Sequence, residues 1–392
     1  MRLAHLADPH LGVRQYHRQT PSGINQREAD AARAFRLAVD GVISARPDAV
    51  VLAGDLFHSV RPTNSAIVFA FKQFQRLREA LPQAPIVLVA GNHDTPRSAE
   101  TGSILRLFEE LAVDVAVDEA RRLEYPALDL SVLAVPHQAL VSGERPSLRP
   151  EGGARHRVMV LHGEIEGVLP TQRHTVEYGG ALVGLRELSI EEWSYVALGH
   201  YHVQHMVAPN TWYSGSLEYV GTNLWGELAD EAEQGIRGKG WLLADLDRGR
   251  VTREPVPAAR PIIDLEPVRG EGLGADALNQ LIEERLRAIP GGVADRIVRL
   301  RVYDVPRHVA RELDHAAIRA YKSEALHLHL DIRRPEVHRI VGVGAPGKRQ
   351  TLPELVREYL RGRPLPAELD REEFVRLGEE LMDSVERDLA GT

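Results

Sequence analysis

AVVLAGDLFH, residues 49–58, is a short apolar run that stops at Gly54 and Asp55. A run of this length, bounded by glycine, reads as a buried strand. The same pattern recurs on both sides of it. LAHLA (3–7) runs into Asp8 and His10, and IVLVAG (86–91) into Asn92 and His93. VMVL (158–161) runs into His162, and VALG (196–199) into His200 and His202. Ligands of α/β sheets gather beyond the carboxyl ends of such strands. Five strand ends carrying Asp, Asn and His are therefore expected to meet at one sheet edge, and that is the composition of a metal site.

Between these runs lie helical patterns, at about Arg27–Ser44 and Asn64–Ala80. Alternating strand and helix predicts an α/β layered domain. After Asp114 the segments are mostly strand-like: DVAV, DLSVLAV, RVMVLHG, YVALGHY, TWYSGS, GWLLADLD and VTREPV. The expected fold is α/β, with two sheets packed face to face and helices outside. A Pro-rich joint, Pro255–Pro261, closes this domain. A β-α-β-α-β unit of strands PIIDLEPV, RIVRLRVYDV and ALHLHLD follows, with helices expected at Ala275–Ile289 and Pro306–Tyr321. In its middle strand Val298, Leu300 and Val302 alternate with Arg299 and Arg301, the mark of a half-buried strand. The expected division is 1–258, 259–332, a basic linker at 333–350, and two amphipathic helices at 351–392.

The chain has 392 residues, 27% of them charged, and no cysteine. Disulfides, Cys-ligated zinc and thiol nucleophiles are excluded. With no apolar run of spanning length and no signal-like N-terminus, the expected location is cytoplasmic. Net charge is −8, so the whole molecule is not a basic nucleic-acid binder. The charge is uneven: Arg333–Gln350 holds five Lys/Arg against one acidic residue, and 351–392 holds six against eleven. Local potential governs nucleic-acid binding more than the sum does.

Asp8 and His10 sit one residue apart on extended chain and can face one side, as can His200 and His202. Seven candidate ligands (Asp8, His10, Asp55, Asn92, His162, His200 and His202) exceed what one ion needs. Two ions sharing a carboxylate fit better, with Asp55 as the bridge. Paired ions about 3.5–4 Å apart suit in-line displacement at phosphorus. Four imidazoles are too nitrogen-rich for typical magnesium, and manganese fits best, with iron or zinc as alternatives.

DPH (8–10), GDLFH (54–58), GNHD (91–94), LHGE (161–164) and GHYH (199–202) together resemble the calcineurin-like metallophosphoesterase superfamily. AHLADPHLG (4–12), GDLFHSVRP (54–62) and YSGS (213–216) carry the resemblance further, to the SbcD-type nuclease subunit of the SbcC–SbcD double-strand-break repair complex. It covers about residues 1–260 closely. It reaches more loosely through the small unit, which looks like that family's capping domain. Pro9 departs from the pattern, since bacterial relatives commonly have Trp there.

The resemblance implies a two-metal DNA exonuclease/endonuclease. Asp8, His10, Asp55 and His202 would hold one ion, and Asp55, Asn92, His162 and His200 the other. His93 would reach the scissile phosphate and protonate the leaving oxygen, with Asp94 orienting its ring and His58 supporting exonuclease action. It also implies that the tail helices dock on the coiled-coil base of an SbcC-type ATPase. Consistently, the chain has no GxxxxGK[ST] loop of its own. The competing reading keeps the metals but takes small phosphodiesters or cyclic nucleotides.

Weaker expectations complete the reading. Arg14, Arg18, Arg27, Arg61 and Arg97 are candidates for DNA phosphates. Gly215 in YSGS would let backbone approach the metals. The apolar helix Asn64–Ala80 would form a homodimer contact.

Overall fold

A computed structural model describes residues 1–96, 102–168, 179–335, 352–363, 365 and 370–390. They fall in two compact units, Met1–Pro335 and Glu336–Thr392. Among the described residues no helix is long and apolar enough to cross a membrane.

The first unit contains two six-stranded sheets. In chain order the strands are β1 (Arg2–Leu6), β2 (Ala49–Ala53), β3 (Ile86–Val89), β4 (Asp114–Ala116), β5 (Arg121–Tyr125), β6 (Leu130–Val135), β7 (His156–His162), the short pair β8 (Glu164–Ile165) and β9 (Leu182–Val183), β10 (Tyr195–Gly199), β11 (His205–Ala208), β12 (Thr211–Tyr213), β13 (Gly240–Asp245) and β14 (Arg250–Pro255). One sheet runs β14-β13-β1-β2-β3-β4 and the other β11-β12-β10-β7-β6-β5. Strands β1 to β4 run parallel in one sheet, and β6, β7, β10 and β12 in the other.

The pleat sorts each strand's residues between two cores. Leu3, Val51, Ala53, Val87 and Val89 of one sheet meet Val132, Ala134, Val158, Val160 and Ala197 of the other in one buried cluster. Ala4, Leu6, Val50, Leu52, Ile86 and Leu88 turn outward under helices. These are α1 (Gln26–Ala45), α2 (Asn64–Ala80) and a 3-10 segment at Ile104–Leu111. Met159, Leu161, Val196 and Leu198 face the opposite outer core. Both faces of the parallel strands are thus covered, which is why they read as continuous apolar runs. A short helix, α3 (His137–Val141), follows β6, and α4 (Leu224–Glu233) follows the loop after β12.

A three-stranded parallel sheet comes next, β15 (Ile262–Arg269), β16 (Ile297–Tyr303) and β17 (His327–Ile332), in the order β15-β16-β17. Its crossovers are α5 (Ala275–Arg287), then α6 (Arg307–Glu312) and α7 (His315–Glu324). Val298, Leu300 and Val302 enter its core with Leu278, Ile282 and Leu286 of α5. On the other face Arg299 pairs with its cross-strand neighbour Asp264 at 2.6 Å, and Arg301 reaches the same carboxylate at 3.2 Å. The single helix expected at Pro306–Tyr321 is two. Leu313 is extended (ψ 151°), and Asp314 accepts the N–H groups of Ala316 and Ala317 at 2.9 Å each, starting a new helix. A side chain that caps so well competes with helix continuation.

This small unit seats on the larger one through Tyr219, Leu224 and Trp225 against Ile297 and Leu326. Arg299 lies over the Trp225 ring at 4.8 Å, and Tyr16 stacks on His327 at 4.0 Å. The second compact unit holds α8 (Leu352–Gly362) and α9 (Arg371–Ala390). A Cβ at Gly378 would meet Leu360 at 2.4 Å, so the two helices are closely apposed there. The expected basic linker lies outside the described residues from 336 onward.

Candidate metal centre

The carboxyl ends of β1, β2, β3, β7 and β10 converge, and the candidate ligands arrive with them. His10 Nε2 lies 3.0 Å from His202 Nε2 and 3.6 Å from Asp55 Oδ2. His162 Nε2 lies 2.9 Å from Asn92 Oδ1 and 3.4 Å from Asp55 Oδ2. His200 Nδ1 lies 3.2 Å from the same Asn92 oxygen. Asp8 faces His162 at 3.7 Å, and its two oxygens accept the His200 N–H at 3.2 and 3.0 Å. All seven residues therefore meet. Asp8–His10–His202 and Asp8–Asp55–His162 each form a buried set with ligand atoms within 4.8 Å of one another.

The backbone accepts strain to make this edge. Asp8, His10, Asp55 and His200 all have positive φ, at 51°, 45°, 49° and 102°. Non-glycine residues seldom take such values outside sites that need them. Hydrogen bonds between the first two loops hold the geometry, with Asp8 N–H donating to Gly54 O, His10 N–H to Asp55 O and Leu11 N–H to Leu56 O. The glycines of the GD, GN and GH pairs are steric requirements. A Cβ on Gly54 would lie 2.0 Å from His162 Nδ1, one on Gly91 2.0 Å from Asp55 Oδ1, and one on Gly199 1.7 Å from the Ala53 carbonyl oxygen.

The residues fit a cation. Asp8 and Asp55 are fully buried, and every ion-pair partner of either among the described residues is an imidazole. Asp55 Oδ1 accepts the His93 N–H at 2.9 Å, whereas buried Oδ2 has no hydrogen-bond partner. That orphan oxygen lies between His10 on one side and His162 on the other. A buried carboxylate oxygen left without a hydrogen bond is costly unless a cation completes it. Burial raises the Asp55 carboxyl, yet His162, His10 and His93 hold it well below the usual range. Burial lowers His162, but Asp55 and Asp8 lift it to about 9. Burial, with the neighbouring Asp55 charge, carries Asp8 up to about 6 against the opposing pull of His162 and His202.

The remaining expectations divide. His93 stands at the rim, its ring 4.8 Å from that of His10, with Nδ1 at 2.8 Å from the His58 carbonyl oxygen. His58 Nδ1 is 3.3 Å from His10 Nδ1, so His58 belongs to the cluster's edge. In place of orienting the His93 ring, Asp94 accepts the N–H groups of Leu56, Phe57 and Gly91 at 3.0, 3.0 and 3.2 Å. Its carboxylate ties the two loops together. Arg27 is fully buried, pairing with Asp30 at 3.0 Å and Glu218 at 3.4 Å, which removes it from any phosphate. Arg18 donates to the carbonyls of Ser323, Glu324 and Ala325 at the end of α7. Arg14 and Arg61 are exposed, and Arg97 lies outside the described residues. Gly215 (φ 74°) packs a would-be Cβ 2.9 Å from the His202 carbonyl oxygen, so its close approach is to a ligand loop.

Two side chains escaped the sequence reading. His137, just after the end of β6, is buried with Nδ1 unpartnered, and its N–H donates to Ala90 O. Burial and the nearby His162 hold it down to about 4. Its signal was available, since LSVLAV also runs into a histidine after Pro136. Glu227, behind His202, had no local signal.

Residues 1–204 match the calcineurin-like phosphoesterase family. The chain belongs to that family. It is 27% identical over 254 residues to the DNA double-strand break repair protein Mre11 of Methanocaldococcus jannaschii, covering 62% of each chain. Identity to the protein of the same name from Sulfurisphaera tokodaii is 27% over 209 residues (52% of this chain and 49% of the relative). For that from Sulfolobus acidocaldarius it is 30% over 210 residues, 52% and 50%. The chain thus matches about half to three-fifths of the length of these relatives.

Proposed function

We propose that this phosphoesterase is a DNA nuclease that processes double-strand ends with two divalent ions, manganese by preference. The observation that carries the reading is Asp55 Oδ2, buried, without a hydrogen-bond partner and flanked by the His10 and His162 rings. In this proposal Asp8, His10, Asp55 and His202 hold one ion, and Asp55, Asn92, His162 and His200 the other. When bound, the pair of ions supplies Lewis acidity to a phosphodiester and lowers the pKa of water.

The chain's own groups do the rest. Asp55 Oδ1 fixes the backbone of His93 and so sets its ring at the rim. The His58 carbonyl accepts a hydrogen bond from His93 Nδ1–H, and a second proton, carried on Nε2, would pass to the leaving oxygen. His58 supports that ring and the ligand His10. The DNA substrate is supported by relatives named for double-strand-break repair and by the small α/β unit seated beside the loop of Tyr16 and Arg18.

The proposal extends to partners. Val68 of α2 is 51% exposed beside half-buried Ile67, Phe69 and Phe71, which supports a homodimer contact. Tyr359, Leu377 and Leu381 of α8 and α9 are exposed at helical spacing, which supports docking on an SbcC-type coiled-coil ATPase.

The test is a manganese-supplemented cleavage assay on DNA of defined ends, with metal counted on the same sample. Wild type should cleave. His93→Ala should keep its ions and lose on the order of 100-fold or more in rate. Equal cleavage by that variant overturns the role of His93. Turnover of small phosphodiesters without DNA cleavage transfers the site to the competing substrate class. A monomer in sedimentation at micromolar concentration removes the dimer.

A further inference from the structure

Behind His202 lies a buried polar network that neither the ligand set nor the seat of the small unit explains. Glu227 of α4 is fully buried. Its Oε1 lies 3.7 Å from His202 Nδ1 and accepts the Gly221 N–H at 2.9 Å. Its Oε2 takes the Lys239 ammonium, which also donates to the His202 carbonyl at 2.9 Å and reaches Glu231 at 3.3 Å. Glu231 in turn accepts the Tyr219 hydroxyl at 2.7 Å and the Gly238 N–H at 3.1 Å.

The direction of each ring atom matters. His202 Nε2 points into the cluster, 3.0 Å from His10 Nε2, so Nδ1 is the atom turned toward Glu227. Gly221 keeps that line open. A Cβ there would stand 2.4 Å from Glu227 Oε1 and 3.4 Å from His202 Nδ1. A histidine that ligates through one nitrogen is usually oriented by an acceptor on the other, and a carboxylate there also raises its basicity. Burying a carboxylate and an ammonium together is costly without a task or full pairing. Here both partners also face the His202 residue, the carboxylate 3.7 Å from its ring and the ammonium donating to its carbonyl.

We propose that Glu227 is the positioning residue of His202: its carboxylate holds the Nδ1–H and presents Nε2 to an ion, with Lys239 fixing the carboxylate. The assignment rests on the metal reading above. α4 anchors it rigidly, because Leu224 and Trp225 on the same helix are packed into the seat of the β15-β16-β17 unit.

The experiment is titration of the metal-stripped full chain with Mn2+ by calorimetry and dialysis, for wild type, Glu227→Gln and Glu231→Gln. Wild type should show two sites. Glu227→Gln should weaken one by about 10–100-fold, leave the other unchanged and melt, metal-free, within about 4 °C of wild type. Glu231→Gln disturbs the same lysine without touching the ring and should change neither site more than about threefold. Equal binding by wild type and Glu227→Gln overturns the proposal, as does an equal loss in Glu231→Gln. A wild-type chain that takes up no Mn2+ sinks the metal reading and this assignment with it. If Glu227→Gln does not fold, a crystal structure of Mn2+-loaded wild type decides. His202 Nδ1 within hydrogen-bond distance of Glu227, with Nε2 on the ion, supports the role, and Nδ1 on the ion overturns it.

Discussion

The loops that follow β1, β2 and β10 break the local rules that the sheet β15-β16-β17 keeps. In the loops, Asp8, His10, Asp55 and His200 take positive φ, carboxylates are buried among imidazoles, and glycines stand where a single methyl would collide with a ligand or a backbone oxygen. In the small sheet, apolar residues face helices, arginines face Asp264 at the surface, and α7 begins at a capping Asp314. One region gathers buried charge at its strand ends, and the other follows apolar periodicity. Positive-φ residues that coincide with buried charge at one sheet edge mark a functional site.

The sharpest way to break that contrast is steric. Gly199→Ala would force a Cβ to within 1.7 Å of the Ala53 carbonyl oxygen, prising β10 from β2. We expect a loss of more than about 4 kcal/mol, read by urea denaturation or as failure to accumulate folded protein. A wild-type midpoint would show that the edge is not tightly determined.

Charge gives the next test. Asp55→Asn keeps an acceptor for the His93 N–H but removes the charge from Oδ2. Mn2+ binding should weaken by about 100-fold or more, with the metal-free fold retained. Asp264→Asn in the small sheet removes a partly exposed partner of two arginines. It should leave metal binding unchanged and cost no more than about 1 kcal/mol.

Protonation separates the regions further. Burial lowers His5, held between the sheets with Nδ1 3.0 Å from the Tyr195 hydroxyl, to about 3. Its folded pKa lies below its unfolded value of 6.5, so the unfolded chain binds the extra proton between those limits. Stability from this group is complete above about pH 6.5 and declines as pH falls toward 3. Urea midpoints of the metal-free chain at pH 7, 6 and 5 should fall more steeply for wild type than for His5→Gln. The difference should approach about 1 kcal/mol per pH unit. Parallel slopes would remove His5 from the account.

The smallest effect belongs to the ordinary region. Gly274, ahead of α5, has negative φ (−79°) and open space where a Cβ would go. Gly274→Ala should change stability by less than about 1 kcal/mol. A loss like that of Gly199→Ala would erase the distinction between the two regions.

The strand-end residues were legible from the sequence because each stands directly after an apolar run, a signal carried within ten residues of chain. Asp8, His10, Asp55, Asn92, His162, His200 and His202 all follow that rule and all meet in space. The alternation of β16 was legible for the same reason. Other features had no such signal. Arg27 reads as one more loop-side arginine until Glu218, distant in the chain, is placed against it. Asp94 reads as a partner of its neighbour His93, yet three backbone N–H groups from two loops claim it.

The sequence by itself therefore determined which residues end the strands, and through them the family of the site. Only the tertiary structure decided which oxygen of Asp55 is left without a partner, which arginine is buried and which carboxylate stands behind His202. The physical reason is that strand periodicity is written locally. Burial and hydrogen-bond partnership depend instead on groups as far apart in the chain as His10 and His202, brought together when the two sheets close on each other.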